Sequence, residues 1–278
     1  MDFLTVSRTL RRFTCFTVRR DAGFMTHSSA PAPLVSPTLA INEEIARRTS
    51  LGLATLPLGF GEAGLPVLTE LVARLAEAAP RAGYGPVAGV LELREATAGY
   101  WSRRGIPTIA EQIVAGPGTK PLLYSLLSAI DGRVVLPAPS WVSYAAQAAL
   151  LGRAYQLIPT RPGEGGVPDP DLLDHAATAA TAEGKPLGAV IVTLPDNPTG
   201  TLATPTTIAA LCGVAKRHGL LVISDEIYRD LVHDHGTNFV SPADLLPDQT
   251  VVTTGLSKNL AVGGLEDRSR PISRHRVW

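Results

Sequence analysis

The chain has 278 residues, of which 45% are hydrophobic and 18% charged, and its 25 lysine and arginine residues balance 25 aspartate and glutamate residues. This composition excludes global disorder and is typical of a soluble globular protein. The charge balance and the lack of a long apolar run argue against nucleic acid and membrane partners, so small molecules or further copies of the chain are expected. Cys15 and Cys212 have neither disulfide nor metal-ligand spacing, which favours a cytoplasmic location and predicts no metal site.

The first 40 residues are predicted to be a disordered N-terminal extension. Residues 1–24 are rich in arginine and poor in acidic residues, as organellar transit segments are. Met25 opens a more usual leader, Thr-His-Ser-Ser-Ala-Pro-Ala-Pro, which favours upstream sequence translated from a misassigned start. A flexible basic arm is the remaining alternative.

From about residue 41 helical and strand-like periods alternate, which predicts a layered α/β domain with a mostly parallel sheet. The apolar runs that predict strands are short and continuous, as expected for strands buried on both faces. In chain order the predicted elements are helix 67–79, helix 90–103, strand 112–115, helix 119–130, strand 133–136, helix 141–151, strand 189–194, helix 203–218, strand 220–224 and strand 250–254.

Three polar residues, Asn197, Asp225 and Lys258, each follow a predicted strand within a few residues. Ligands of open α/β sheets bind outside the carboxyl ends of parallel strands, so these side chains converge if the strands are neighbours. A lysine kept neutral by its surroundings can form a Schiff base. A carboxylate directed into a crevice needs a cationic partner or several donors, and a protonated pyridine nitrogen is such a partner. Singly, the three are typical of a surface lysine, a helix cap and a turn; in this order they indicate a pyridoxal-phosphate (PLP) site.

The segment from about 51 to 264 resembles the large domain of PLP-dependent aminotransferases of class I and II, which have fold type I. The resemblance implies a three-layer α/β/α large domain with a mostly parallel sheet, assigned here to residues 41–264. It also implies a homodimer with PLP as its cofactor.

The resemblance assigns a role to each polar residue at the strand ends. Lys258 would be the catalytic residue, which forms the internal aldimine with PLP and shuttles a proton at the substrate Cα. Asp225 would pair with the pyridine nitrogen, and Asn197 and Tyr228 would hydrogen-bond the ring oxygen O3′.

Further cofactor-binding residues are implied by segments upstream and beside the lysine. A glycine-rich turn before a helix would hold the phosphate, because helix N-termini favour anions. An aromatic ring would stack on the pyridine, although a core aromatic is an equal alternative for it, and a tyrosine would reach the phosphate of the neighbouring subunit. These residues are Gly118, Thr119 and Lys120 in the turn, Trp141 as the aromatic ring, Tyr84 as the intersubunit tyrosine, and Ser257 beside the lysine.

The sequence departs from the family pattern after Gly263-Gly264, where the family continues with Trp-Arg-hydrophobic-Gly and this chain has Leu265-Glu266-Asp267-Arg268. Codons for these four residues, read one base later, encode Trp-Arg-Ile-Gly. The hypothesis is a frameshift that makes residues 265–278 a non-family tail. It predicts loss of a phosphate-binding arginine, of an antiparallel strand inside the sheet and of the small C-terminal domain.

The leading functional hypothesis is PLP-dependent transfer of an amino group between an amino acid and a 2-oxo acid. One alternative is a truncated, non-catalytic fragment or pseudoenzyme of the same family. Another is a different fold type I activity, such as that of a C–S lyase or a cyclopropane-carboxylate synthase. The sequence does not identify the donor or the acceptor.

Overall fold

A computed structural model describes residues 2–6, 37–57, 61, 64–233 and 238–263, with the backbone alone for 2–6 and 37–39. The chain forms two compact units, Thr9–Gly61 and a larger unit of Met1–Arg8 with Glu62–Trp278. The described part of the smaller unit contains helix α1 (Pro37–Ser50).

The larger unit alternates helices and strands. All ten predicted elements are confirmed, with ends that differ by about two residues at most, as is usual for element boundaries. Among the described residues, three strands (Asp2–Val6, Tyr155–Arg161 and Glu164–Pro168) and three helices (Pro37–Ser50, Pro170–Ala182 and Pro242–Leu245) were not predicted. In chain order the larger unit contains β1 (Asp2–Val6), α2 (Thr69–Ala78), α3 (Leu91–Ser102), β2 (Ile113–Gly116), α4 (Thr119–Ala129), β3 (Arg133–Ala138), α5 (Val142–Leu150), β4 (Tyr155–Arg161), β5 (Glu164–Pro168), α6 (Pro170–Ala182), β6 (Leu187–Thr193), α7 (Pro205–His218), β7 (Leu221–Asp225), α8 (Pro242–Leu245) and β8 (Thr250–Gly255).

The strands form one eight-stranded sheet in the order β2-β1-β8-β7-β6-β3-β4-β5. Neighbouring strands from β8 through β7, β6 and β3 to β4 are parallel. Strand β1 is antiparallel to both of its neighbours, and β5 is antiparallel to β4. The predicted α/β fold with a mostly parallel sheet is therefore confirmed.

The central strands are buried on both faces. Val190 and Val192 of β6 belong to a core that also contains Leu173 of α6 and Leu211 of α7. Because successive side chains of a strand point to opposite faces, Ile191 lies on the other face, and it is fully buried as well. Cover on both faces explains why the predicted strands are continuous apolar runs.

The N-terminal end differs from its prediction. Residues 2–6 form β1 inside the sheet, and α1 begins at Pro37, whereas the sequence predicted a disordered extension up to residue 40 and a sheet that lacks an internal antiparallel strand. Residues 7–36 and the proposed non-family tail 265–278 lie outside the described residues, so the domain boundaries stay predictions. Among the helices that the structure describes, none has the length and apolarity needed to cross a membrane.

Candidate functional site

The carboxyl ends of three neighbouring strands meet at one edge of the sheet. Strands β6, β7 and β8 lie side by side, and Thr193, Asp225 and Thr253 are opposite one another across them. Asn197 follows the end of β6 and Lys258 follows the end of β8. The predicted convergence of Asn197, Asp225 and Lys258 on one edge is thus what the sheet order produces.

Asp225 ends β7 as a buried carboxylate, with 3% of the residue exposed. Its Oδ2 accepts a hydrogen bond from the Tyr144 hydroxyl at 2.7 Å, and its Oδ1 accepts one from the Ile227 amide at 3.3 Å. These two donors hold the carboxylate in a fixed orientation at the edge of the sheet.

Tyr144 links Asp225 to the end of the adjacent strand β6. Its hydroxyl oxygen lies 2.9 Å from Oγ1 of Thr193, and its side chain is fully buried. Burial, and then the nearby negative charge of Asp225, raise the pKa of Tyr144 well above its usual 10.0. The phenol therefore stays protonated and donates to Asp225 at physiological pH.

Sequence reasoning did not assign Tyr144 a role. A signal was present, because Tyr144 follows Trp141 by three residues at the start of α5, a spacing that places two side chains on one face of a helix. The two rings pack edge to face, with centroids 5.3 Å apart and planes at 86°.

The glycine-rich turn lies beside Trp141. The ammonium nitrogen of Lys120 lies 5.4 Å from the centroid of the Trp141 ring, and the Gln147 side chain donates to the backbone oxygen of Lys120 at 2.9 Å. Gly118 precedes α4 with φ of 130°, a conformation that glycine adopts readily. Thr119 is the first residue of that helix, so the backbone N–H groups of an eleven-residue helix begin beside the indole.

The structure brings the side chains of Asn197 and Tyr228 together. The side-chain amide nitrogen of Asn197 donates a hydrogen bond to the Tyr228 hydroxyl oxygen at 3.5 Å. Burial is the main cause of the raised pKa of Tyr228, and the negative charge of Asp225 adds to it, while the contact with Asn197 acts in the opposite direction. Asp196 holds the turn that carries Asn197, because its Oδ2 accepts from the Thr199 amide at 3.1 Å.

The unpredicted hairpin of β4 and β5 supports the same turn. The Gly165 amide donates to Oγ1 of Thr201 at 2.8 Å. A Cβ atom at Gly166 would lie 2.1 Å from the backbone oxygen of Thr193, and Gly166 has φ of 80°. Only glycine permits this approach of the hairpin to the end of β6.

Lys258 lies half-buried in the loop after β8. The side-chain amide of the neighbouring Asn259 donates a hydrogen bond to Oδ2 of Asp230 at 3.0 Å. The same carboxylate accepts from Arg104 Nη2 at 2.9 Å and from the Tyr100 hydroxyl at 3.0 Å. Asp230 therefore joins the lysine loop to helix α3, a connection that sequence reasoning missed.

Ser257 is buried next to Lys258, and its predicted contact with the cofactor stays a prediction. Tyr84 is different, because it lies in the loop between α2 and α3 with its side chain fully exposed and is not packed against the cluster around Asp225. Its predicted role in a neighbouring subunit stays a prediction. Part of the run His233-Asp234-His235 lies outside the described residues, and no cluster suited to a metal ion occurs among those that are described.

Glu226, next to Asp225, belongs to a separate buried cluster. Its Oε1 accepts from the Ser224 and Ser241 hydroxyls, and its Oε2 lies 2.7 Å from Arg229 Nη1. Burial raises the pKa of Glu226, against the lowering effects of Arg229 and Ser241. The Glu226 carboxylate is therefore engaged in structural bonds.

A protein-family model described as aminotransferase class I and II matches residues 55–265. The chain belongs to this family. It is 34% identical over 235 residues to a probable aspartate/prephenate aminotransferase of Thermus aquaticus and 31% identical over 242 residues to an aspartate aminotransferase of Bacillus subtilis strain 168. Each match covers 82% of this chain and 59% of the relative.

A solved structure of the family has the same fold. The aspartate aminotransferase of Thermus thermophilus with maleate aligns with a TM-score of 0.76 and 31% identity, covering 86% of this chain and 63% of that chain. The aminotransferase-family chain described here therefore spans about three fifths of the length of these relatives.

Aminotransferases of class I and II depend on PLP, and the side chains at the sheet edge fit that group. Asp225 offers a buried negative charge to a protonated pyridine nitrogen, and Trp141 offers a flat face to the ring. The start of α4 at Gly118 is suited to a phosphate. An amine, Lys258, follows the strand next to Asp225. The assignment of each residue to an individual contact stays a prediction.

Proposed function

We propose that this chain binds PLP through Lys258 and transfers an amino group between an amino acid and a 2-oxo acid. The observation that carries the proposal is the buried Asp225 carboxylate, oriented by Tyr144 at 2.7 Å, on the strand beside the one that leads to Lys258. Because relatives are named aspartate aminotransferases, aspartate is the first amino donor that we propose.

The side chains divide the work according to their chemistry. PLP supplies a conjugated ring that withdraws electrons from the substrate Cα. Asp225 keeps a proton on the ring nitrogen through its negative charge. The Lys258 amine would carry a proton between the substrate Cα and the C4′ carbon of the cofactor. Trp141 covers one face of the ring and excludes water from it.

The pair of Asn197 and Tyr228 would orient the ring through its phenolic oxygen. Both side chains carry donors, and the two lie within contact of each other at the carboxyl ends of β6 and β7. We assign them to the phenolic oxygen of the ring, which accepts hydrogen bonds. Lys120 and the backbone amides that follow Gly118 neutralise the phosphate.

The proposed assembly is a homodimer. Tyr84 supports it, because a fully exposed tyrosine between α2 and α3 is available to a second copy of the chain. A mixture of two variants, Tyr84→Ala and Lys258→Ala, tests the assignment. If Tyr84 serves the partner's site, hybrid dimers recover one complete site, and cofactor binding exceeds the sum of the separate variants.

Covalent labelling tests the proposed chemistry directly. After incubation with PLP and reduction with sodium borohydride, mass spectrometry should place a pyridoxyl group on Lys258. Lys185→Ala serves as the matched control, since it removes an exposed amine at the far end of β6 and should leave the label on Lys258. Label that is absent from Lys258, or distributed equally over surface lysines, contradicts the proposal.

A second candidate is a non-catalytic member of the family. The run Leu265-Glu266-Asp267-Arg268 stands where the family has Trp-Arg-hydrophobic-Gly, and this departure favours the second candidate. Transamination assays with a panel of amino acids and 2-oxo acids distinguish the two candidates. A labelled Lys258 without amino-group exchange for any pair supports cofactor binding without turnover.

A further inference from the structure

The unpredicted strand β1 occupies an internal position in the sheet, next to the edge strand β2. It lies between β2 and β8 and is antiparallel to both. Asp2–Thr5 are opposite Gly116–Ile113 of β2, and Asp2–Val6 are opposite Gly255–Val251 of β8. One five-residue segment therefore pairs on both of its edges.

The spacing of strands makes this segment necessary for the described sheet. Neighbouring strands lie about 4.8 Å apart, so β2 and β8 are separated by about 10 Å and cannot pair with each other. All six residues of β8 are buried. Without β1, the backbone groups of β8 that face β1 would lose their partners within the protein interior.

The register also connects β1 to the candidate site. Asp2 is opposite Gly116 on one side and Gly255 on the other. Gly116 directly precedes the turn of Gly118, and Gly255 directly precedes the loop of Lys258. The width of one inserted strand thus sets the separation of the two segments that, under the proposed function, hold the phosphate and the amine of the cofactor site.

We propose that β2 and β8 form a strand-accepting site whose occupant is the chain's own segment Asp2–Val6. The segment acts as a built-in donor strand that completes the sheet and holds the two halves of the site at a fixed separation. It follows that Asp2–Val6, which precede Met25, take part in the folded protein. The role of Asp2–Val6 in spacing the cofactor site rests on the proposed function, whereas its role as a strand of the sheet does not.

A disulfide in register tests the occupancy. Leu4 is opposite Thr253, so Leu4→Cys with Thr253→Cys, in a Cys15→Ser and Cys212→Ala background, should form an intrachain disulfide with oxidised glutathione. The matched control combines Leu4→Cys with Val251→Cys. Val251 is opposite Val6, so this diagonal pair is about 7–8 Å apart and should stay reduced.

Each outcome of the disulfide test is decisive. An intrachain link in the Leu4–Thr253 pair alone supports the proposal. A link between two chains shows that a second copy supplies the strand, and the absence of a link, or equal linking in both pairs, shows that Asp2–Val6 does not lie there in this register. The last three outcomes each overturn the proposal.

Backbone exchange tests the consequence for the site. Proline lacks the N–H that an internal strand uses, so Leu4→Pro should increase amide hydrogen exchange in β8 at least tenfold. A chain that starts at Met25 should show the same increase, whereas Leu4→Val should not.

PLP affinity is measured on the same variants. Unchanged exchange in β8 overturns the strand role, and equal PLP affinity in the Met25 chain overturns the site role. A protected β8 in a chain that binds no PLP contradicts only the proposed function. If a variant is insoluble, the disulfide pairs decide.

Discussion

The side-chain amide nitrogen Nδ2 of Asn259 donates a hydrogen bond to the Asp230 carboxylate at 3.0 Å. Asp230 also forms an ion pair at 2.9 Å with Arg104, which lies two residues after the end of α3. Asn259 directly follows Lys258, so one carboxylate fixes the position of the lysine loop relative to a helix that packs on β2 and β8 through Trp101. Asp230 is therefore a positioning residue for Lys258.

Asp230→Asn should loosen this loop. The substitution removes the charge that Arg104 and Asn259 share, and bonds to a charged group contribute about 1.5–3 kcal/mol each, less at a partly exposed site. We expect the free energy of unfolding to fall by about 1–3 kcal/mol and PLP to label Lys258 more slowly. Asp131→Asn, at an exposed aspartate, is the control and should change unfolding by less than about 0.5 kcal/mol. Equal effects of the two substitutions contradict the positioning role.

The same carboxylate predicts a pH dependence. Burial acts to raise the pKa of Asp230, but bonds from Asn259 and Arg104 outweigh it, so the pKa lies below the ordinary 3.8. A lowered pKa stabilises the fold above the unfolded pKa, and this contribution is lost as the pH falls through the folded pKa. The difference in unfolding free energy between wild type and Asp230→Asn should therefore be constant above about pH 5 and shrink below pH 3.8. Urea titrations from pH 6 to 3 measure it, and a difference that grows on acidification contradicts it.

Tyr144→Phe should weaken the orientation of Asp225. The variant removes one hydroxyl from a fully buried pair and leaves Oδ2 of Asp225 without that donor. We expect a loss of about 1–3 kcal/mol in unfolding free energy and weaker PLP binding. Tyr124→Phe, at an exposed tyrosine of α4, should change neither quantity. Full PLP affinity in Tyr144→Phe would show that the hydroxyl does not orient the site.

Removing the Arg229 cation from the buried Glu226 cluster should greatly lower the free energy of unfolding. Arg229→Met leaves Glu226 as an uncompensated buried charge, which costs about 3–5 kcal/mol. Replacing both partners, Glu226→Gln with Arg229→Met, should recover part of that loss. Because burial raises the pKa of Glu226, protonation relieves the penalty, so the deficit of Arg229→Met should shrink as the pH is lowered towards 5. A double variant less stable than Arg229→Met contradicts this account.

Alanine substitutions at two glycines of the β4–β5 hairpin distinguish the cost of steric overlap from the cost of backbone strain. Gly163 and Gly166 both have positive φ, of 75° and 80°, but a Cβ atom at Gly163 meets nothing within 4 Å whereas one at Gly166 overlaps the Thr193 backbone. Gly163→Ala should therefore cost about 1–2 kcal/mol from its conformation alone. Gly166→Ala should cost at least about 2 kcal/mol more, measured by urea denaturation. Equal costs would show that the hairpin yields without disturbing the end of β6.

Local patterns were sufficient for much of the fold. Strands β6, β7 and β8 were predicted from apolar runs, and such runs indicate strands that are buried on both faces. Helix α6 was missed although Asp169 caps it and Pro170 begins it, a start signal that the sequence does contain. Strand β4 has mixed exposure and β5 contains two glycines, so neither has a regular period.

The sequence by itself determined which side chains stand at strand ends, including Asn197, Asp225 and Lys258, because a strand and its following loop are set by neighbouring residues. Only the tertiary structure decided what touches them. Tyr144 and Asp225 are 81 residues apart, and the pairing of Asp2 with Gly255 spans almost the whole chain. Such contacts depend on strand order and register, which arise when distant segments compete to bury apolar surface and pair their backbones, and no local periodicity encodes the outcome of that competition.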